Sequence, residues 1–392
     1  MGNPSAPGGI PRSFPGVMME TLLRSSNIAD IHDKVFHGRR LNLEDGLRLY
    51  ESPDLPLIGH MANLARERRH GATTYFVRNQ HINYTNICQK DCRFCSFYAK
   101  KGGPAPYVLS PEDIANRLRE HLNHPITEIH VVGGIHPRLD WQYYLDVLGA
   151  IRSVRPTAHI KAWTMVELAQ IHKVSPYDTL DKTLQALMAA GLGSCPGGGA
   201  EVLSDRVHEE LFGRKIDSAE WLDIARVAHR NGLKSNATML YGHIETYAER
   251  VEHLIRLREL QDETGGFLSF IPLAMDPKNT ALSHIHRESG IDDLRNIAVA
   301  RLMLDNFDHI KAFWVMITPQ VAQAALWYGA DDMDGTVMAY EITHVGVPGD
   351  EHRQALTHEG LMDFITSAGR VPVERDTLYR PVSVPDVQEA LS

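Results

Sequence analysis

Between residues 28 and 69 apolar positions recur at helical spacing. Val35, Leu41, Leu43, Leu47 and Leu49 stand among charges, and Asn42 precedes Asp45 by three, the pattern of a capped helix start. This predicts a helical preamble over 28–72. The period then changes. Short β-rich runs at 73–83, 128–135, 159–164, 193–196, 234–241, 267–273, 309–316 and 331–337 alternate with amphipathic stretches at 111–122, 141–154, 177–190, 219–231, 247–263, 291–305 and 319–328. Alternation at this spacing predicts a parallel sheet wrapped by helices. Eight units over 73–345 predict an α/β fold closed as a (β/α)8 barrel of the TIM type, with an open or partial barrel of about six strands as the alternative. Residues 346–392 form a C-terminal extension, a helix at 357–367 and a proline-containing segment packed outside the barrel.

Composition narrows the class. The chain has 392 residues, 43% of them apolar, enough to bury a core without disulfides. Its formal charge of -9, without a long basic run, excludes the footprint of a nucleic-acid binder. No run of about 18 apolar residues occurs, so no membrane span is expected. Residues 1–27, Gly-, Pro- and Ser-rich at the start and without an apolar signal core, read as a flexible leader, and a cytoplasmic setting is expected. The 21 histidines are scattered and read mainly as surface or packing residues.

The four cysteines are not spread as a disulfide framework: three fall within eight residues. Cys88, Cys92 and Cys95 have the spacing Cys-x3-Cys-x2-Cys just after the first expected strand. Three thiolates on one loop can each hold one iron of a [4Fe-4S] cubane and leave the fourth iron open. An open iron can chelate the amino and carboxylate groups of S-adenosylmethionine (SAM) and serve its reductive cleavage. A structural zinc site is the alternative and would need Cys195 or a histidine such as His81 as fourth ligand. Cys195 reads better as a small buried residue.

Ligand sites of such barrels gather at the carboxyl ends of strands, and the chemically suggestive residues fall there. Phe97 and Tyr98 follow the cysteines and could wall the adenine or merely pack the loop. Asn83 and Asn86 would brace that loop. Gly133 and Gly134 end the second strand, where backbone could approach the amino group of SAM. Glu167 follows the third. Gly197, Gly198 and Gly199 follow the fourth, and Glu201 beyond them could accept from a ribose diol. Asn236 and Thr238 share one face of the fifth strand, with Tyr241 and His243 after them; they could bind a substrate carboxylate or form a buried network. Asp331, Asp332 and Asp334 read as a turn with one ligand-facing acid.

Taken together, Asn83-Tyr84-Thr85-Asn86-Ile87-Cys88, Gly133-Gly134-Ile135-His136-Pro137, Gly197-Gly198-Gly199-Ala200-Glu201, Met239-Leu240-Tyr241-Gly242-His243-Ile244-Glu245 and Asp331-Asp332-Met333-Asp334-Gly335-Thr336 resemble the radical SAM enzymes of the futalosine route to menaquinone. The likeness runs over 31–379. Tyr340-Glu341-Ile342-Thr343-His344 and Pro372-Val373-Glu374-Arg375-Asp376 look more like the aminofutalosine synthase family than like the cyclic dehypoxanthinylfutalosine or deazaflavin (FO) synthases. Pro196 departs from the residue that often opens the family's glycine motif. The resemblance implies addition of the 5′-deoxyadenosyl radical of SAM to 3-[(1-carboxyvinyl)oxy]benzoate, then rearrangement and decarboxylation to 6-amino-6-deoxyfutalosine. Reductive cleavage of SAM asks for a low-potential electron donor, expected to be of the flavodoxin or ferredoxin type, and a homodimer is compatible with this reading. His243, Asn236, Thr238 and Arg295 are the candidates to hold the two carboxylates of this aromatic substrate. The alternatives are the two related synthases and, from another class, a non-catalytic Fe–S or zinc protein.

Overall fold

The computed structural model describes residues 23, 26–100, 103, 105–342 and 355–383. Most of the expected leader, the motif residues Thr343 and His344, and the expected boundary at 345–346 lie outside the described residues.

The strands in chain order are β1 Thr73–Val77, β2 Asn79–Ile82, β3 Glu128–Val131, β4 His159–Ala162, β5 Ser194–Cys195, β6 Lys234–Tyr241, β7 Phe267–Ala274, β8 His309–Ile310, β9 Asp332–Gly335, β10 Val371–Arg375 and β11 Pro381–Ser383. β2 to β8 form one parallel sheet in chain order, as the βα alternation requires. β9 fills the eighth position: single parallel bridges join Asp332 to Lys311 beyond β8 and Met338 to Gln80 on β2.

The expected strand at 73–83 is two strands. The chain turns at Arg78, whose guanidinium meets Glu374 through two bonds of 2.7 Å. β2 stays in the barrel, while β1 joins a second sheet in the order β11-β10-β1-β9. The C-terminal segment is therefore not a simple outer wrapping: β10 runs parallel to β1 and β11 returns antiparallel. Arg375 ties this segment to β9. It is fully buried, bonds Asp332 at 2.6 Å and lies 4.2 Å over the Tyr379 ring.

Only His309–Ile310 of the expected strand 309–316 is extended. Trp314–Ile317 winds into a helical turn instead, because the buried Trp314 donates its indole N–H to the Gly335 carbonyl at 3.0 Å. Helices Met165–Val174 and Asp205–Phe212 were not anticipated; each starts at a side-chain cap, Thr164 and Ser204.

The preamble holds helices Ala29–Phe36, Leu43–Glu51 and Leu55–His70. Asn42 and Asp45 form the expected capping box, at 2.9 and 3.0 Å. Ile31, Leu49, Ile58 and Met61 bury their apolar face in the core. Buried Arg66 ties the third helix to the Thr74 hydroxyl at 2.9 Å. The second and third of these helices pack on the outer helices Tyr247–Thr264 and Gly290–Met303. No described helix is long and apolar enough to cross a membrane.

Candidate active site

The barrel encloses a cavity of about 350 Å3, lined by Cys88, Cys92 and Cys95 together with Phe97 and Tyr98. Gly133, Gly134, Glu167, Gly198, Gly199 and Glu201 from the following loops also line it, and so do Asn236, Thr238 and Asp334.

The cysteine loop is zipped onto the end of β3. Gly134 N–H donates to the Thr85 carbonyl at 2.7 Å and Gln89 N–H to that of Ile135 at 3.0 Å. A Cβ on Gly134 would sit 2.8 Å from the Ile87 carbonyl carbon and 3.1 Å from the Cys88 Cβ. The glycine thus serves the approach of two backbone segments. Asn83 and Asn86 brace the loop as expected, through the carbonyls of Val132 at 3.0 Å and Ala105 at 2.8 Å.

Backbone N–H groups face two of the sulfurs. Cys88 Sγ accepts N–H groups of Lys90 at 3.4 Å and Ile135 at 3.3 Å, and the N–H groups of Tyr98 and Phe97 face Cys95. Burial pushes the Cys92 thiol up to about 12 and the Cys95 thiol upward. Iron would replace those protons, since it binds thiolate. Three thiols on one loop, two of them faced by backbone N–H groups, suit a cluster with three cysteine ligands. Cys195 lies fully buried on β5, outside the cavity lining.

Beside this loop Glu201 pairs with Lys215. Burial works against the Lys215 charge, but Cys92 and Glu201 outweigh it and hold its pKa above the ordinary value. Its ammonium lies 5.1 Å over Phe94. Gly199 takes a positive φ of 94°, and a Cβ there would meet Val166 at 2.5 Å. Thr238 donates to the Gly197 carbonyl at 2.9 Å, and Asn236 accepts from Ser269 at 3.0 Å. Both polar residues of β6 thus support neighbouring structure while facing the cavity.

His243 and Arg295 do not line the cavity. The His243 ring nitrogens face Glu245 at 2.8 Å and the Leu240 carbonyl at 2.9 Å. Arg295 donates to the carbonyls of Leu49 at 3.0 Å and Ser52 at 2.6 Å, on the preamble. The structure brings in instead His81, His130, Lys161, Lys215 and Lys311. A lysine inside an apolar strand, as in His159-Ile-Lys161-Ala162 or Ile310-Lys311-Ala312, is the sequence signal that could have found two of them.

The profile of the Radical SAM superfamily matches residues 82–257, and that of the CofH/MqnC C-terminal region matches 264–388. An aminodeoxyfutalosine synthase of Thermus thermophilus is 45% identical over 94% of this chain and 99% of that protein. One of Streptomyces coelicolor is 41% identical over 89% and 92%. A cyclic dehypoxanthine futalosine synthase of Halalkalibacterium halodurans is 33% identical over 93% and 97%. Among solved structures, methylornithine synthase shares the fold at a TM-score of 0.68 and 17% identity, over 87% of this chain and 96% of that one. Similar along nearly its whole length to such relatives, the chain belongs to the aminodeoxyfutalosine synthase family of radical SAM enzymes, a membership that implies a [4Fe-4S] cluster and SAM.

Proposed function

We propose that this protein adds the 5′-deoxyadenosyl group of SAM to 3-[(1-carboxyvinyl)oxy]benzoate and that Cys88, Cys92 and Cys95 are the three protein ligands of its cluster. The product, after rearrangement and loss of the vinyl carboxylate, is 6-amino-6-deoxyfutalosine, a precursor of menaquinone. When bound, the cluster supplies the electron that cleaves SAM to the radical.

The chain's own residues supply the rest. Val132, Val166, Leu240, Ile271 and Phe313 wall the cavity with apolar groups, which excludes water from a reactive carbon. The thiol of Cys195, a competent hydrogen-atom donor, is kept in the core outside that wall. Glu201 and Lys215, beside the cysteine loop, would contact SAM, and Phe97 and Tyr98 its adenine. A flavodoxin- or ferredoxin-type reductant and a cytoplasmic setting belong to the same proposal, and a homodimer is compatible with it.

The observation that carries it is the cysteine loop set on a cavity with apolar walls and cationic groups at its inner end, suited to an aromatic dicarboxylate. Anaerobic turnover of the reconstituted protein with SAM, dithionite and 3-[(1-carboxyvinyl)oxy]benzoate, followed by mass spectrometry, tests it. Aminodeoxyfutalosine with methionine is expected. Formation of 5′-deoxyadenosine alone would overturn the substrate assignment, and intact SAM would overturn catalysis.

A further inference from the structure

Strand register places His81 on β2, His130 on β3 and Lys161 on β4 on a single rung. All three line the cavity, and the cysteine loop lies beyond the carboxyl ends of the same strands. Lys311, just after β8, and Asp334, on β9, line it as well. The rung thus forms the inner end of the cavity, opposite the cysteines.

The polar groups there are incompletely matched. Lys161 Nζ lies 2.7 Å from Glu128 and Lys311 Nζ 2.8 Å from Asp334. An ammonium has three donors, and each ion pair takes at most one; both Glu128 oxygens also lack a hydrogen-bond partner. His81 is 4% exposed, and neither of its ring nitrogens has a hydrogen-bond partner. Its ring stacks on His130 at 4.5 Å and meets the edge of Tyr340 at 5.2 Å. A buried imidazole with two idle nitrogens in a cavity wall is costly unless a ligand completes it.

We propose that His81, Lys161 and Lys311 form a carboxylate subsite that receives the ring carboxylate of the substrate, and that His81 enters that complex as imidazolium. The inference rests on the function proposed above and deepens it. The orientation follows from chemistry: the vinyl carbon must lie by SAM at the cysteine end, so the ring carboxylate, meta to the ether, points to the inner end. The protonation follows from charge. Two lysines against Glu128 and Asp334 leave the inner end neutral, so an arriving carboxylate brings an unbalanced charge. His81 can take a proton to balance it. Burial first and His130 second hold its pKa well below the ordinary value, while Asp334 and Glu128 act the other way and Lys161 adds to the lowering. A carboxylate against the ring reverses the balance.

The probe is 3-methoxybenzoate, with methoxybenzene as its neutral counterpart. Each is titrated calorimetrically into reconstituted protein holding SAM without reductant, in two buffers of different ionisation enthalpy. The benzoate is expected to bind at least about tenfold more tightly than the ether, with uptake of close to one proton. His81→Phe should abolish the uptake and most of the preference, and Lys311→Met should reduce the preference. Equal affinity of the two probes for the wild-type protein, which needs no variant to fold, overturns the subsite. Uptake persisting in His81→Phe overturns the assignment of the proton. A preference for the benzoate in a protein that makes no aminodeoxyfutalosine would leave the subsite standing and refute the substrate reading alone. Product formation without the preference would refute the subsite alone.

Discussion

The carboxylate of Glu167 accepts the backbone N–H of Gly133 at 3.0 Å. The same oxygen takes the Tyr84 hydroxyl at 3.0 Å, and the other takes the Thr164 N–H at 2.7 Å. The cap of the helix after β4 therefore also holds the glycine loop after β3, to which the cysteine loop is hydrogen-bonded. Glu167 is a positioning residue in this respect.

Burial pushes the Glu167 carboxyl up to about 7 against the pull of those hydrogen bonds. The folded value lies above the ordinary one of 4.5, so the native state favours the protonated acid. That stabilisation is complete below pH 4.5 and is lost as pH rises through about 7, a change of about 3 kcal/mol. Glu167→Gln removes the titration but leaves one backbone N–H facing an amide nitrogen, which costs about 1–2 kcal/mol. The variant should be less stable than the wild type at acid pH, and the gap should close or reverse at alkaline pH. Denaturant midpoints at the two pH values measure it; a gap independent of pH would refute the account.

Gly134 makes a sharper prediction about the cluster. Alanine there would collide with Ile87 and crowd Cys88. Gly134→Ala should destabilise the protein by about 1–3 kcal/mol and lower the iron retained after reconstitution. Gly149, within helix Trp141–Val154, has open space around its Cβ position, so Gly149→Ala should stabilise by about 1 kcal/mol and keep its iron. Full iron loading in Gly134→Ala would mean that the loop yields without cost.

What was legible in the sequence follows from locality. The cysteine spacing, the paired glycines and the Asn42–Asp45 box are each encoded within eight residues; the first two lie at strand ends where the βα rhythm placed them, and the box opens a helix of the preamble. The helical turn at Trp314 was not legible, because the run around it reads as strand until the indole finds Gly335 on the neighbouring strand β9. Lys161 and Lys311 were missed because Glu128 and Asp334 reach them only after the sheet curls. His243 does follow β6, yet Glu245 two residues on captures its ring, a local pairing that the carboxylate expectation did not weigh. That the tail adds β10 and β11 beside β1 was not legible, because nothing near Arg375 in sequence announces Asp332.

That last pair should be strongly coupled to folding. Arg375 and Asp332 are both almost wholly inaccessible, and their bond is 2.6 Å. Arg375→Met leaves the aspartate charge buried alone, which costs about 3–5 kcal/mol. Asp332→Asn in the same chain should recover part of that loss. Protease cleavage within 355–383 should quicken in the single variant and slow again in the double. Equal rates in the wild type and Arg375→Met would show that the tail docks without the pair.

The three-ligand scheme makes Cys195 the control for its neighbours. Cys92→Ser should lose iron and SAM cleavage together, because serine is a poor ligand for iron and Cys92 is one of the three proposed ligands. Cys195→Ser should keep both, although burying a hydroxyl in the core costs it about 1–3 kcal/mol of stability. Iron analysis beside a thermal melt separates the cases: a protein that melts lower with full iron has lost packing, and one that folds without iron has lost a ligand. If Cys195→Ser folds but binds no iron, its sulfur belongs to the ligand set. The cluster would then have four protein ligands and no open iron for SAM, and the proposed chemistry would have to be abandoned.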